Sequence, residues 1–571
     1  MLDLILRGGH VADGTGAEGA VGDVGIRDGK IAAVGKVDED AAEVVDVDGL
    51  VVAPGFVDIH THYDAQAFWD TTLSPSPLHG VTTVVGGNCG FTIAPLVPDA
   101  GEYLKTMLAR VEGMPLESLD QGVPWDWTSF AEYLDRLDGR LSVNAGFLVG
   151  HSAIRRVVMG EDATSGRAPT ADERERMLGL LREGLAAGGM GFSSTWSPTH
   201  NDAAGDPVPS RHADADELVA FCEVVKEFAG TTLEFLPTSG DFEEEHYDVM
   251  TRMSVAADRP LNWNVLQVTA RNGAMVDNRL AAGDYAAERG GKVIALTIPD
   301  VIRPRLCFQT GFVLDALPGW AKPMALPDDE KLRLLADPER RAELNELAQS
   351  ETGPLRGVAR WEGMTLVECF TDETRRFEGG TVGDAATEMG LSPWDALCQI
   401  AVLDELRTGF SPPARGDSDD DWARRVEVWR DPRAIVGASD AGAHLDLLAT
   451  FNYSTTLLAE TVRKRPLLSV DEAVRMLTDD QARLYGITGR GRLAPGWAAD
   501  IVVFDPATIG PGPVHTRDDL PGGAGRLYGE AEGIERVYVN GTQIVRGREM
   551  TEARPGTLLR SGRDTETVTA S

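Results

Sequence analysis

Two histidines two residues apart, His60 and His62 in APGFVDIHTHYD, close a short apolar run. In an extended strand side chains alternate sides, so both imidazoles project the same way. A neutral imidazole pair at one strand end suits a borderline-soft cation such as zinc. A His-x-His alone is a weak signal, but this pair follows a Gly-punctuated β-rich segment and a Pro-Gly turn. It also sits at the end of the first of a series of strands, where the expected direction of both rings is into a shared mouth.

The elements that would hold such a mouth are legible in the rest of the chain. Short apolar runs, GFVDIHTH, VTTVVGGN, LSVNAGFLVGH, GMGFSS, TTLEFLP, PLNWNVLQV, KVIALTIP and AIVGASD, alternate with amphipathic stretches such as ADERERMLGLLREGLAAG. Eight such units predict an α/β fold, a (β/α)8 TIM-like barrel. Residues 1–54 read as short strands joined by Asp-Gly turns, and residues 485–555 return to that texture with an Asn-Gly hairpin in IERVYVNGTQIVRG. The two ends are expected to pair as one small β-sandwich domain, with the barrel at 55–484 between them. The alternation fails between about 302 and 405, predicting an insertion over the mouth, where long βα loops lie and a lid would sit. The polar tail, 556–571, is expected to be loosely packed.

The β segment leading into PGFVDIHTH resembles the amidohydrolase superfamily, and HGVTTVVGGNCGF resembles its N-acyl-D-amino-acid deacylase (D-aminoacylase) branch. The resemblance extends from Met1 to about Gly547 and implies hydrolysis of a non-peptide carbon–nitrogen amide bond in a small acylated amine or amino acid. It implies that Cys89 is a metal ligand as thiolate, a state that needs deprotonation. Asp440 in GASDAGAH would be a carboxylate ligand and the base that takes the proton from a metal-activated water. By the same resemblance His151 in VGHS would orient or polarise the substrate carbonyl, and Ser193, Ser194 and Trp196 in GFSSTW would line the substrate pocket.

Two features depart from that branch. Its fifth- and sixth-strand histidines are absent; Glu234 in TTLEFLP and Asn262 or Asn264 in PLNWNVLQV stand nearest. A one-zinc centre built from His60, His62, Asp440 and Cys89 is therefore the preferred expectation, and a two-zinc centre using Glu234 the alternative. The His-Pro-Arg stretch that follows the aspartate in the branch is also missing, leaving His444 to fill part of that space as a substrate contact or extra ligand, with Asn264 as a further substrate contact. Cyclic amide hydrolysis of the hydantoinase or dihydropyrimidinase kind is a second reading, disfavoured because GMGFSS offers no lysine to carbamylate. A non-catalytic ligand-binding relative is the third.

Bulk composition bears on partners and says nothing about the reaction. The 571 residues carry a formal charge of −36, which would repel nucleic acid and anionic membranes. The five cysteines, Cys89, Cys222, Cys307, Cys369 and Cys398, form no CxxC pair and suit a reducing compartment. The first residues lack the basic start and long apolar core of a signal peptide, and no run reaches the roughly 18 apolar residues needed to span a bilayer. The expectation is a cytoplasmic protein without nucleic-acid or membrane partners, with self-association, as a homo-oligomer, left open.

Overall fold

The computed structural model describes residues 1–352 and 354–570. Eight parallel strands follow one another along the chain: Phe56–Asp58, Val81–Gly86, Asn144–Phe147 continuing as Val149–Gly150, Gly191–Thr195, Thr232–Leu236, Leu261–Leu266, Val293–Thr297 and Ala434–Val436. The first three pair in chain order, and the continuation of the third opens a six-stranded sheet in which each strand neighbours the next up to the eighth. Just beyond the eighth strand, Ala441 bridges Thr61 in parallel, and His62 N–H donates to the Ala441 carbonyl at 2.7 Å. The extensions of strands one and eight therefore lie side by side, and with them His62 and Asp440.

The strands are buried on both sides because helices cover one and side chains fill the other. Val81–Gly86 is buried at every position, the signature of a strand in an α-covered parallel sheet. Helix Ala171–Ala186 shows how the covering helices form. Thr170 and Glu173 cap each other's backbone N–H groups at its start, and Met177, Leu181 and Leu185, spaced by four, form its buried stripe. Burying each such side chain stabilises by about 1.5–3 kcal/mol.

The two chain ends meet in one sheet. Strands Val51–Pro54 and Ile501–Phe504 pair antiparallel, joining the two ends in one nine-stranded sheet. The tail departs from expectation. Gly556 and Leu559 donate to the carbonyls of Leu141 and Ala145, Leu558 bridges Ala145, and Thr565 bridges Ile487. Leu558, Leu559 and Thr565 are buried, so this segment is docked along the third strand and the last helices. Its polar sequence hid that backbone pairing.

The segment after strand seven has its own apolar core, with Trp320, Trp361 and Trp394 packed ring against ring at 4.8–5.8 Å. It extends past the expected limit of 405 to the hairpin partner Gly409–Ser411, paired with Thr365–Glu368. It reaches the mouth of the parallel strands, where the Phe312 ring lies 5.5 Å from that of His444 and Asp315 pairs with Arg110 at 2.7 Å. No helix among the described residues is long and apolar enough to cross a membrane.

Candidate metal centre

Beyond the C-terminal ends of the parallel strands lies a cavity of about 400 Å³. His60, His62, Cys89, Asn264, Asp440 and His444 line it, bringing six of the expected residues together. One ligand atom from each of His60, His62 and Cys89 lies within 4.8 Å of the others. Cys89 Sγ is 3.7 Å from His60 Nε2, and Asp440 Oδ1 is 3.1 Å from His62 Nε2 and 3.7 Å from His60 Nε2.

The backbone around these groups is bent to deliver them. Cys89, Asp440 and His444 have φ of 54°, 59° and 49°, all in the left-handed region that non-glycine residues rarely adopt. Such conformations cost of order 1–3 kcal/mol each and concentrate at functional sites. Gly87 precedes Cys89 with φ +76°, and a Cβ there would fall 2.4 Å from the Leu148 carbonyl oxygen, so only glycine allows the loop to press against strand three. Glu234 does not line the cavity but holds this loop from beneath, its Oε2 accepting the Cys89 N–H at 2.8 Å. Its other oxygen is buried without a partner. Asn264 Nδ2 contacts Cys89 Sγ at 3.3 Å. Asn262 turns away and donates to the Leu233 carbonyl and the Tyr485 hydroxyl.

Electrostatically the centre is primed for a cation. Burial drives the His60 imidazole down to about 3, so it stays neutral with a free lone pair. Burial opposes charge on His62 too, but the carboxylates of Glu112 and Asp440 on either side hold its ring up at about 10. Burial likewise raises the Cys89 thiol well above its ordinary range, with the charges of Glu234 and Glu112 adding to it. A thiol so placed ionises only beside a compensating cation. Burial, opposed by the Cys89 N–H, pushes Glu234 up to about 8. The site thus gathers two imidazoles, a thiol and a carboxylate with orphaned acceptors behind them, a donor set that fits a divalent metal.

Four expected site residues lie elsewhere. His151 is fully buried off the cavity, with Nδ1 bonded to Ser194 Oγ at 2.9 Å and Nε2 to Glu217 at 2.8 Å. Both ring nitrogens are used, and none is left for a substrate. Glu217 also binds the buried Arg155, so His151 belongs to a structural ion network. Ser193 accepts the Gly90 N–H at 3.0 Å and donates to the Gly87 carbonyl, fastening the Cys89 loop instead of lining a pocket. Trp196 packs on Phe235 and donates to the Ala213 carbonyl.

Three ionisable cavity residues were not legible in the sequence. Glu112, just after helix Pro98–Val111, faces His62 Nδ1 at 3.5 Å. His200 is bonded to Thr195 Oγ1 at 3.0 Å, and its ring is tilted against that of Phe91 at 5.0 Å. Arg279, on helix Gly273–Ala287, also lines the cavity. The acidic or basic side chains of Glu112 and Arg279 carried no distinguishing spacing, whereas the SPTH stretch shortly after strand four could have marked His200.

The family model described as "Amidohydrolase family" matches residues 43–545. The chain is 28% identical to the D-aminoacylase of Alcaligenes xylosoxydans xylosoxydans, over 98% of this chain and 97% of that one. It superposes on a D-aminoacylase structure described as having a binuclear metal center, with a TM-score of 0.63, 26% identity and coverage of 98% and 100%. The N-acyl-D-glutamate deacylase of Bordetella bronchiseptica, complexed with zinc and a phosphonate mimic of the tetrahedral intermediate, matches with a TM-score of 0.61, 25% identity and coverage of 98% and 100%.

Proposed function

The chain belongs to the amidohydrolase family, and on that premise we propose that it is a zinc hydrolase removing the acyl group from a small N-acylated amine or amino acid. The observation that carries the reading is the convergence of His60, His62 and Cys89 within 4.8 Å, with Asp440 beside them on the same cavity. We read the eight parallel strands as a closed (β/α)8 barrel at 55–484, flanked by a β-sandwich domain from residues 1–54 and 485–555. The insertion at about 302–405, with its hairpin extension, covers the mouth.

His60, His62, Cys89 and Asp440 would hold one zinc. Glu234, already committed to the Cys89 N–H, supports the thiolate loop; its other oxygen, buried without a partner, could serve a second ion. When bound, zinc supplies a Lewis acid that polarises the scissile carbonyl and lowers the pKa of water. The other work falls to the chain. His60, neutral through burial, presents Nε2 as a lone pair. The Glu112 carboxylate, 3.5 Å from His62 Nδ1, favours a proton on that nitrogen and so leaves Nε2 as the nitrogen to ligate a metal, an orienting device common behind metal-bound imidazoles. Asp440 keeps about a third of its side chain open to the cavity (33% exposed), so it can take the proton of the attacking water and return it to the leaving amine. His200 and His444 line the cavity, with the Phe91 ring beside the first and the Phe312 ring of the insertion beside the second.

The test is turnover. Purified protein is assayed against N-acyl-D- and N-acyl-L-amino acids, acylated amines, hydantoins and dihydropyrimidines, before and after chelation. Amine release from acyclic amides, abolished by chelation and restored by zinc, is expected. Hydrolysis confined to cyclic amides, or amide turnover indifferent to chelation, would overturn the reading.

A further inference from the structure

Beside the metal cavity, and sharing Gln267, Ile298 and Ile302 with it, lies a second chamber of about 1030 Å³. The loop after strand six, the end of strand seven and the segment 414–425 wall it. Arg425, on helix Asp419–Trp429, lines this chamber although it is only 3% exposed. Its guanidinium carbon lies 4.5 Å from the Trp422 ring. Gly416, with φ +84°, packs so close that a Cβ there would fall 3.1 Å from Nη2. Nη1 is buried without a partner. The carboxylates around the guanidinium are Asp421, Asp300 and Asp417, whose charges act on it without a hydrogen bond to it. Two of them are committed elsewhere. Asp417 accepts from Trp422 Nε1 at 2.9 Å and pairs with Arg303 at 2.6 Å. Asp421 accepts the Ala270 N–H through one oxygen and the Ser418 N–H and hydroxyl through the other. Asp300 accepts only the Val301 N–H, at 2.6 Å through Oδ1, and its second oxygen has no partner among the described residues. Exposed Arg271, Arg415 and Asp420 complete the charged lining.

A buried guanidinium with unused donors is completed by an oxyanion, through charge-assisted hydrogen bonds. The three nearby carboxylates would repel a dianion such as phosphate and favour a cation close to whatever anion binds. A ligand carrying both charges a bond or two apart meets both conditions. Arg425 would take its anionic end and the open oxygen of Asp300 its cationic end.

We propose that this chamber is a second binding site, separate from the metal centre, for a zwitterionic free amino acid held between Arg425 and Asp300. It goes beyond the deacylase reading and needs no turnover, since His60, His62, Cys89 and Asp440 do not line it. The volume leaves room for a side chain, so the smallest chiral amino acid, alanine, tests the two charges alone. The signature is a ligand that binds by both charges at once and loses affinity when either is removed, from the ligand or from the protein.

The experiment is calorimetric titration of the full-length protein with D- and L-alanine, with propionate and ethylamine, which each keep one of alanine's two charges, and with inorganic phosphate. Alanine of at least one configuration should bind roughly 10-fold or more tightly than the other three probes, and equally well in wild type and in His60→Ala. Arg425→Met should weaken alanine roughly 10- to 100-fold, the worth of one charge-assisted hydrogen bond or two, and Arg425→Lys should restore part of the loss. Asp300→Asn should bring alanine down to the affinity of propionate without weakening propionate. Thermal unfolding checks the fold of each variant, and Asp300→Asn keeps the test open should Arg425→Met fail to fold. No binding of alanine, binding no tighter than that of propionate or phosphate, or binding unchanged in folded Arg425→Met or Asp300→Asn would overturn the inference. Loss of alanine binding in His60→Ala would also overturn it, by placing the ligand in the metal cavity. Absence of amide turnover with alanine binding intact would instead refute the deacylase reading alone.

Discussion

Replacing Glu217 with glutamine should destabilise the protein severely and leave the chemistry almost untouched. Its carboxylate is 1% exposed and binds Arg155, which is 0% exposed, and His151 Nε2 at 2.8 Å. Arg155 has no other anion among the described residues: its Nε and Nη2 are buried without partners. The glutamine keeps the shape but strands a guanidinium in the core, and breaking a buried pair this way costs about 3–5 kcal/mol. The assay is urea denaturation of wild type, Glu217→Gln and the double variant Arg155→Met/Glu217→Gln, with kcat of the folded enzyme measured alongside. The single variant should unfold at clearly lower urea, the double variant should recover much of the loss, and kcat should stay near wild type in both. An unchanged midpoint with kcat reduced by about 100-fold or more, the loss expected of a group that transfers protons in the reaction, would refute the assignment. His151 and its partners would then have to reach the substrate.

The same network sets an acid limit. Burial opposes ionisation of Glu217, but His151 and Arg155 outweigh it and hold the carboxyl down to about 2, below an unfolded value of about 4.3. Its stabilisation is therefore complete above about pH 4.3 and is lost as the pH falls toward 2; thermal unfolding between pH 6 and 3 should be less acid-sensitive in Glu217→Gln than in wild type. Asp440→Asn should reduce kcat by about 10²–10⁴-fold, the span of general acid–base contributions, as measured by steady-state kinetics on zinc-loaded protein. Glu112→Gln, which weakens the hold on His62 Nδ1, should lower metal affinity by about 10–100-fold, read by competition with a chromogenic chelator. Phe312→Ala, at the contact between insertion and His444, should raise KM more than it lowers kcat.

Part of the candidate centre could be read from sequence because its histidine pair sits at a strand end, where alternation fixes direction: His60 and His62 share a side by spacing alone. Cys89 was legible for a different reason, the resemblance of the GGNCGF stretch around it to the D-aminoacylase branch. His151 shows the limit of such reading. A histidine just after a strand looks the same whether its ring faces the mouth or the helix layer, and only the buried Glu217, distant in sequence, decides. Ser193 and Ser194 alternate as expected, but one side meets the Cys89 loop and the other His151, so neither reaches the cavity. Glu112 and Arg279 come from helices whose placement depends on tertiary packing, and the tail's docking rests on backbone hydrogen bonds that leave no trace in side-chain pattern.

The most direct test of the account is metal content per chain, by elemental analysis of protein purified without added metal, for wild type, His60→Ala, Cys89→Ala and Glu234→Ala. The account predicts about one zinc in wild type, its loss in His60→Ala and Cys89→Ala, and its retention at reduced affinity in Glu234→Ala. Two ions in wild type with one lost in Glu234→Ala would contradict the one-zinc centre, and metal content unaffected by His60→Ala would contradict the site itself.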